Sequence, residues 1–319
     1  MPDSPAPLST EGALRIGLVG YGEVGRILAE DLRGAGHAVG AYDVKLESPS
    51  PQADAMRVHA AAHGVALSPS ATMVATGVDL VISAVTASET LNAARACAAG
   101  LTAGTFVLDF NSASPGAKRQ AAEVVDGHGG RYVEGAVMTS VPPYRIRVPL
   151  LLGGPHATAV LPVLERLGFA ARVHDERLGV ASATKMCRSV MIKGLEAMVI
   201  ESFTAARHYG VEDAVVASLQ ETFPGIDWEK QAAYFFQRVI QHGRRRSEEV
   251  REVAVTVREA GLVPWSADGT AERQAWMADL ADSGLFGDKT AEGFARSEDW
   301  RLEADRLLAH VAKAPGQDD

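Results

Sequence analysis

The segment LRIGLVGYGEVGRILAEDL, residues 14–32, sets glycine at positions 20, 22 and 25 between an apolar run and an amphipathic one. A β-branched run followed at once by G-x-G-x-x-G and a helix-periodic stretch specifies strand, tight turn and helix. Each glycine then has a separate task. The first permits the turn, the second lets the backbone approach a pyrophosphate, and the third lets the helix pack against the strand. The new helix offers its unpaired N–H groups to an anion. Gly20, Tyr21, Gly22, Glu23, Val24 and Gly25 are therefore the expected dinucleotide loop. The next apolar run, AVGAYD, ends on Asp43, about 20 residues past the motif, where a carboxylate binds ribose hydroxyls and repels a 2′-phosphate. That favours NAD over NADP, although Lys45 softens the repulsion.

Apolar runs and Ala-rich helical stretches continue to alternate: LRIGLV, AVGAYD, DLVISAV, TFVLDF, RYVEGAV, VPLLLGG and ARVHD. Alternation of this kind implies an α/β domain with a doubly wound, mostly parallel sheet. After Leu178 the period becomes helical without interruption to Gly210, and the chain beyond Gly210 is helical too, broken at Pro224 and Pro264. The expected organisation is a disordered leader over 1–12, a Rossmann domain over 13–178, an all-α domain over 179–313 entered by one long helix, and a tail over 314–319.

A length of 319 residues suits two domains, and 47% apolar composition supplies their cores. The N-terminal MPDSPAPLSTEG lacks an apolar region of signal-peptide type, and no apolar run is long enough to span a bilayer, so a soluble, cytoplasmic protein is expected with no membrane partner. A net charge of −9 argues against sequence-independent nucleic-acid binding. With only Cys97 and Cys187, and no histidine pair at metalloenzyme spacing, no metal is expected.

Three further segments resemble the β-hydroxyacid dehydrogenase family, the group that also contains 6-phosphogluconate dehydrogenase. VLDFNSASPGA is similar to the family's substrate loop D-x-S-T-x-S-P, with Asn111 and Ser112 at the two central polar positions. Ser114 and Pro115 read independently as a helix N-cap and first-turn pair. GVASATKMCRS resembles the catalytic-lysine helix, and Lys185 takes the lysine position. Arg188 and Ser189, three and four residues on, share its helical face. They stand where the family usually carries asparagine, and an arginine there is suited to clamp a carboxylate. EGAVMTSVPPYRIRVPLLLGG occupies the place of the family's A-P-V-S-G-G segment without its Ser-Gly-Gly. Thr139 lies in the equivalent stretch, and Pro142 and Pro143 fix an extended turn. Val85 and Thr86 fall near the nicotinamide ribose by family position.

Beyond these, ETFPGIDW and QHGRRRSEEVREVA resemble the C-terminal domain of an uncharacterised phosphogluconate-dehydrogenase-like branch. His242, Arg245 and Arg246 are candidate contacts there, set against a reading of Arg244–Glu248 and Arg245–Glu249 as ordinary i,i+4 pairs on an exposed helix. Cys187 reads as a small packed side chain rather than a nucleophile, and Glu201 as structural.

The resemblance implies an NAD-dependent dehydrogenase acting on the secondary alcohol of a 3-hydroxy-acid-like substrate. Lys185 would be the proton acid or base, because a partly desolvated ammonium exchanges its proton more readily. Asn111, Ser112, Thr139, Arg188 and Ser189 would hold the substrate at an active site near the start of the long helix. Reduction of an imine, oxidation of an amino alcohol, or NAD binding without catalysis are the alternatives on the same scaffold. A homodimer formed through the helical domain is expected.

Overall fold

The computed structural model describes residues 12–290, 293–294 and 297–313. The expected leader, apart from Gly12, and the tail over 314–319 lie outside the described residues. Eight strands form one sheet: β1 (Arg15–Val19), β2 (Ala38–Tyr42), β3 (Ala66–Leu67), β4 (Leu80–Ser83), β5 (Phe106–Asp109), β6 (Arg131–Val137), β7 (Leu150–Gly153) and β8 (Ala171–Asp175). Their spatial order is β3-β2-β1-β4-β5-β6-β7-β8. All neighbours are parallel except β6 and β7, which run antiparallel in the register Glu134 opposite Gly153. The first six strands give the doubly wound order 3-2-1-4-5-6, whose carboxyl ends are the ligand-binding edge of such sheets. β3 carries no sequence signal because two residues are too few to show a period.

Helices α1 (Glu23–Gly34), α2 (Pro51–His63), α3 (Ala71–Ala75), α4 (Thr90–Ala98), α5 (Pro115–Gly127) and α6 (Ala157–Arg166) connect the strands. Their ends follow local chemistry. Ser50 and Ser114 accept hydrogen bonds from Ala53 and Ala117 and are each followed by proline, while α2 stops at Gly64 in the left-handed region (φ +64°). β4 and β5 are buried along their whole length, as expected of strands covered on both faces.

The long helix α7 (Val180–Tyr209) comes next in the chain. The chain divides into two compact units, one up to Met186 and one from Cys187, so the division falls inside this helix. Its first turns belong to the sheet unit, where Ala181 packs against Ala136 of β6 and Leu151 of β7. The second unit continues with α8 (Glu212–Thr222), α9 (Trp228–Glu259), α10 (Trp265–Asp282) and α11 (Trp300–Val311). Its core is aromatic, with Phe203 and Trp300 at 4.9 Å between ring centroids and Trp228 and Phe236 beside them. α9 and α10 approach closely at Gly243, where a Cβ would stand 2.8 Å from the Gln274 carbonyl oxygen. Among the described residues no helix is long and apolar enough to cross a membrane.

Candidate functional site

In the loop joining β1 to α1 the three glycines meet three different surroundings. Gly20 has φ +98°, and a Cβ there would lie 2.4 Å from the Ala84 carbonyl oxygen. A Cβ at Gly25 would lie 2.1 Å from the Gly20 carbonyl oxygen, so this residue lets helix and turn close on each other. At Gly22 a Cβ would meet nothing within 4 Å, because that backbone faces open space. Gly22 is also the N-cap of α1 and supplies no side-chain acceptor to the first-turn N–H groups. A smooth backbone surface at an uncapped helix N-terminus suits a pyrophosphate. Glu23 is exposed in that first turn, and Val24 packs partly into the core.

Tyr21 and Asp43 are tied to each other within the fold. Tyr21 is fully buried, donates its N–H to Asp43 Oδ2 at 2.8 Å, and turns its phenol to His59 Nδ1 at 2.8 Å. Its side chain therefore faces the core, and burial pushes its hydroxyl up to about 12. Asp43 fastens the glycine loop to the end of β2, and its other oxygen accepts from Lys45 N at 3.0 Å. The carboxylate retains lone pairs for a ribose, since an ionised carboxylate has about four acceptor sites.

At the carboxyl ends of β4 and β5 the polar side chains are tied into one chain of contacts. Asn111, 3% exposed, accepts from Val85 N at 2.7 Å and donates to Ser83 Oγ at 3.0 Å. Both ends of its amide thus bind the protein, and Asn111 holds the loop after β4 in place rather than presenting a free amide to a ligand. Thr86, next in that loop, is exposed. Ser112 and Lys185 are both half-buried, and Lys185 Nζ donates to Ser112 Oγ at 2.5 Å. The lysine thus meets the D-x-N-S loop beside the strand ends that carry the dinucleotide turn.

Buried charges not singled out in the sequence hold this arrangement. Asp109 pairs with Lys118 Nζ at 2.8 Å and accepts from Tyr132 Oη at 2.5 Å and Asn111 N at 2.9 Å. Lys118 reaches in addition the Asp109 and Gly135 carbonyls. Such a pair withstands burial only because hydrogen bonds satisfy its remaining sites. Glu134, fully buried on β6, accepts from the N–H groups of Gly179 (2.6 Å) and Ser182 at the start of α7. A carboxylate at the positive end of a helix is favourable, and it fixes where the first turns, and so Lys185, stand. The available signal was an acidic residue inside an otherwise apolar strand, in FVLD and RYVEGAV.

The other candidates meet mixed outcomes. Thr139 is exposed beyond β6, and the Pro142–Pro143 segment closes as a tight turn, with Tyr144 N donating to the Val141 carbonyl at 3.0 Å, rather than running extended. Arg145 just after it adopts φ +52°, held by Asp31 (2.8 Å) and Glu30 (2.6 Å) of α1. On α7, Arg188 is exposed and Ser189 buried, and Cys187, expected to pack, is exposed as well. On α9 two arginines depart from the reading of i,i+4 pairs on an exposed helix, Arg246 by burial and Arg244, though exposed, by its partners. Arg246 is buried against Glu196, and Arg244 bonds Asp279 and Asp282 of α10 instead of Glu248. Arg245–Glu249 forms as the i,i+4 pair at 3.5 Å, and His242 is exposed. The expectation that no histidine pair has metal-ligand spacing is also corrected. His59 and His63 stand one turn apart on α2, with Glu30 of α1 beside them.

Comparison with known proteins gives the sheet unit a match, over residues 15–173, to the NAD binding domain of 6-phosphogluconate dehydrogenase. Residues 206–277 match a domain of unknown function, DUF1932. A conserved hypothetical protein of Sinorhizobium meliloti is 34% identical in a solved structure, with TM-score 0.72 and coverage of 92% of this chain and 95% of that one. A second solved structure, of a conserved protein of unknown function described as structurally similar to 3-hydroxyacid dehydrogenases, is 30% identical, with TM-score 0.65 and coverage of 84% and 99%. The mitochondrial 3-hydroxyisobutyrate dehydrogenase of Drosophila melanogaster is 26% identical over 227 residues, covering 69% of this chain and 67% of that one.

Proposed function

The chain belongs to the 6-phosphogluconate-dehydrogenase-like, or β-hydroxyacid dehydrogenase, superfamily, and from that premise we propose that it oxidises the secondary alcohol of a small 3-hydroxy acid, or catalyses the reverse reduction, with Lys185 as the proton-transfer group. The superfamily's activity is NAD(P)-dependent oxidoreduction of this type. The single observation that carries the finer reading is the Lys185–Ser112 contact at the carboxyl edge of the sheet.

Bound NAD would supply the hydride acceptor; the loop Gly20–Gly25 would take its pyrophosphate and Asp43 its ribose. NAD rather than NADP is favoured by the Asp43 carboxylate. Val85 and Thr86 would flank the nicotinamide ribose. Ser112 holds the lysine amine against one loop, and in the oxidation direction the neutral amine takes the hydroxyl proton as the carbonyl forms. In reduction the ammonium returns that proton. Asn111 acts by fixing the loop after β4 that carries Val85 and Thr86, while Ser112 and Thr139 orient the substrate. Arg188, exposed one turn past Lys185, is suited to receive the substrate carboxylate in bidentate fashion. Exposed Met191 and Met198 on α7 favour a homodimer formed through the helical unit, which light scattering would test.

The test is a steady-state screen with NAD and NADP over 3-hydroxy acids of increasing size, with cyclic imines included. NAD-dependent turnover of a hydroxy acid supports the reading. Turnover of imines alone, or dinucleotide binding without turnover of any member, would overturn it.

A further inference from the structure

Among the described residues, one group of side chains has the chemistry of a metal site and no part in the reaction proposed above. His59 and His63 project from successive turns of α2, their rings stacked at 4.5 Å between centroids and 28° apart. Glu30 of α1 faces them, its Oε1 at 2.9 Å from His59 Nε2. One donor atom from each of the three lies within 4.8 Å of the others. Tetrahedral zinc, with metal–ligand distances of about 2.0–2.1 Å, needs its ligands about 3.4 Å apart, a spacing of the order of the one between these donors.

The surroundings are those of a supported site. The second ring nitrogen of His59 meets Tyr21 Oη at 2.8 Å, so the ring orientation is fixed from behind. Arg145 Nη2 holds Glu30 Oε2 at 2.6 Å, which leaves Oε1 directed at the histidines. His63 is exposed, so an ion has a path in and a water can complete the coordination. Two imidazoles and one carboxylate select a borderline first-row divalent ion over magnesium or calcium, which prefer oxygen ligands throughout.

We propose that Glu30, His59 and His63 form a binding site for a divalent transition-metal ion of the zinc class, on the helix pair α1–α2 behind the glycine loop. Ligation uses the Nε2 lone pair of His59 with the single imidazole proton carried on Nδ1 and donated to Tyr21 Oη, so the Nε2–Glu30 hydrogen bond gives way to metal bonds from Nε2, Glu30 Oε1 and His63. The site stands on these residues alone and does not depend on the proposed substrate.

The experiment is calorimetric titration of ZnCl2 into the full-length protein carrying Cys187→Ser, which removes the exposed thiol as a competitor. One ion per chain is expected, with the affinity falling at least tenfold in His63→Ala, a surface change that leaves the fold intact by circular dichroism. Tyr21→Phe tests the positioning residue and should weaken binding by roughly 10–100-fold. The protein loaded with Co2+ should show visible ligand-field bands of nitrogen and oxygen ligation without a thiolate charge-transfer band. Equal affinity in His63→Ala and its parent, or no heat of binding at millimolar zinc, overturns the proposal.

Discussion

A methyl group on Gly153 would stand 2.6 Å from Glu134 Oε2, so the glycine of β7 keeps open the space in which the glutamate of β6 holds the start of α7. The two residues face each other across the antiparallel pair, and Glu134 spends its carboxylate on the N–H groups of Gly179 and Ser182. Gly153→Ala is expected to destabilise the protein by about 1–3 kcal/mol through overpacking. Glu134→Ala should cost a similar amount, about 1–3 kcal/mol, by leaving buried N–H groups without acceptors. Both variants should also lower kcat, because Lys185 loses its fixed starting turn. Urea midpoints measured beside turnover check this, and unchanged midpoints in both would refute the clamp.

The three loop glycines predict three different phenotypes. Gly25→Ala and Gly20→Ala drive a Cβ into backbone oxygen and should lower the melting temperature sharply. Gly22→Ala enters open space, so its melting temperature should stay near that of the parent while NAD affinity falls. Thermal scans with and without NAD separate the two classes. A Gly22→Ala protein that binds NAD normally would remove the pyrophosphate from this loop.

Lys185→Met should retain NAD binding and lose turnover by a factor of about 10²–10⁴, the usual contribution of a positioned proton-transfer group. Ser112→Ala keeps the amine and removes its partner, so a smaller loss is expected, with an altered pH profile. Full activity in Lys185→Met would exclude the lysine from the chemistry.

Asp43 serves both the loop and the cofactor, so its replacement should register twice. Asp43→Ser removes the acceptor of Tyr21 N–H and the negative charge facing a 2′-phosphate. The ratio of kcat/KM for NAD to that for NADP should fall at least tenfold, with a modest drop in melting temperature. An unchanged ratio would place the ribose elsewhere.

The two cysteines should differ in reactivity. Cys187 is exposed, whereas burial pushes the Cys97 thiol from its ordinary value of 9.0 up to about 11. At pH 8 a thiol reagent should titrate one group per native chain and two after denaturation. An acid raised in the folded state keeps its proton there while the unfolded chain ionises. Its contribution is therefore intact below pH 9 and is lost as pH rises from about 9 to 11. By linkage this amounts to roughly 3 kcal/mol, and denaturation midpoints of parent and Cys97→Ala across that range would measure it. Parallel pH curves would show that Cys97 does not carry the effect.

Much of the fold was legible because its signals are local. The change from two-residue to 3.6-residue periodicity marked seven strands and the long helix to within a residue or two, and Ser114–Pro115 marked the start of α5. The three glycines could be assigned separate tasks because backbone conformation and close approach leave a mark on residue type. Lys185 and Ser112 could each be singled out only through family resemblance, and their contact was not legible, since 73 residues separate them and no period relates them.

The sequence by itself thus determined an α/β sheet domain, a dinucleotide turn and a helical continuation, all properties of residues close along the chain. Tertiary structure alone decided that Glu134 meets the head of α7, that Asp109, Lys118 and Tyr132 close a buried network, that Asn111 is spent on the loop after β4, and that Glu30 reaches two histidines on α2. The physical reason is that these contacts depend on strand order, register and helix packing. Those relations bring distant residues within hydrogen-bond range and impose no periodic pattern on the chain that forms them.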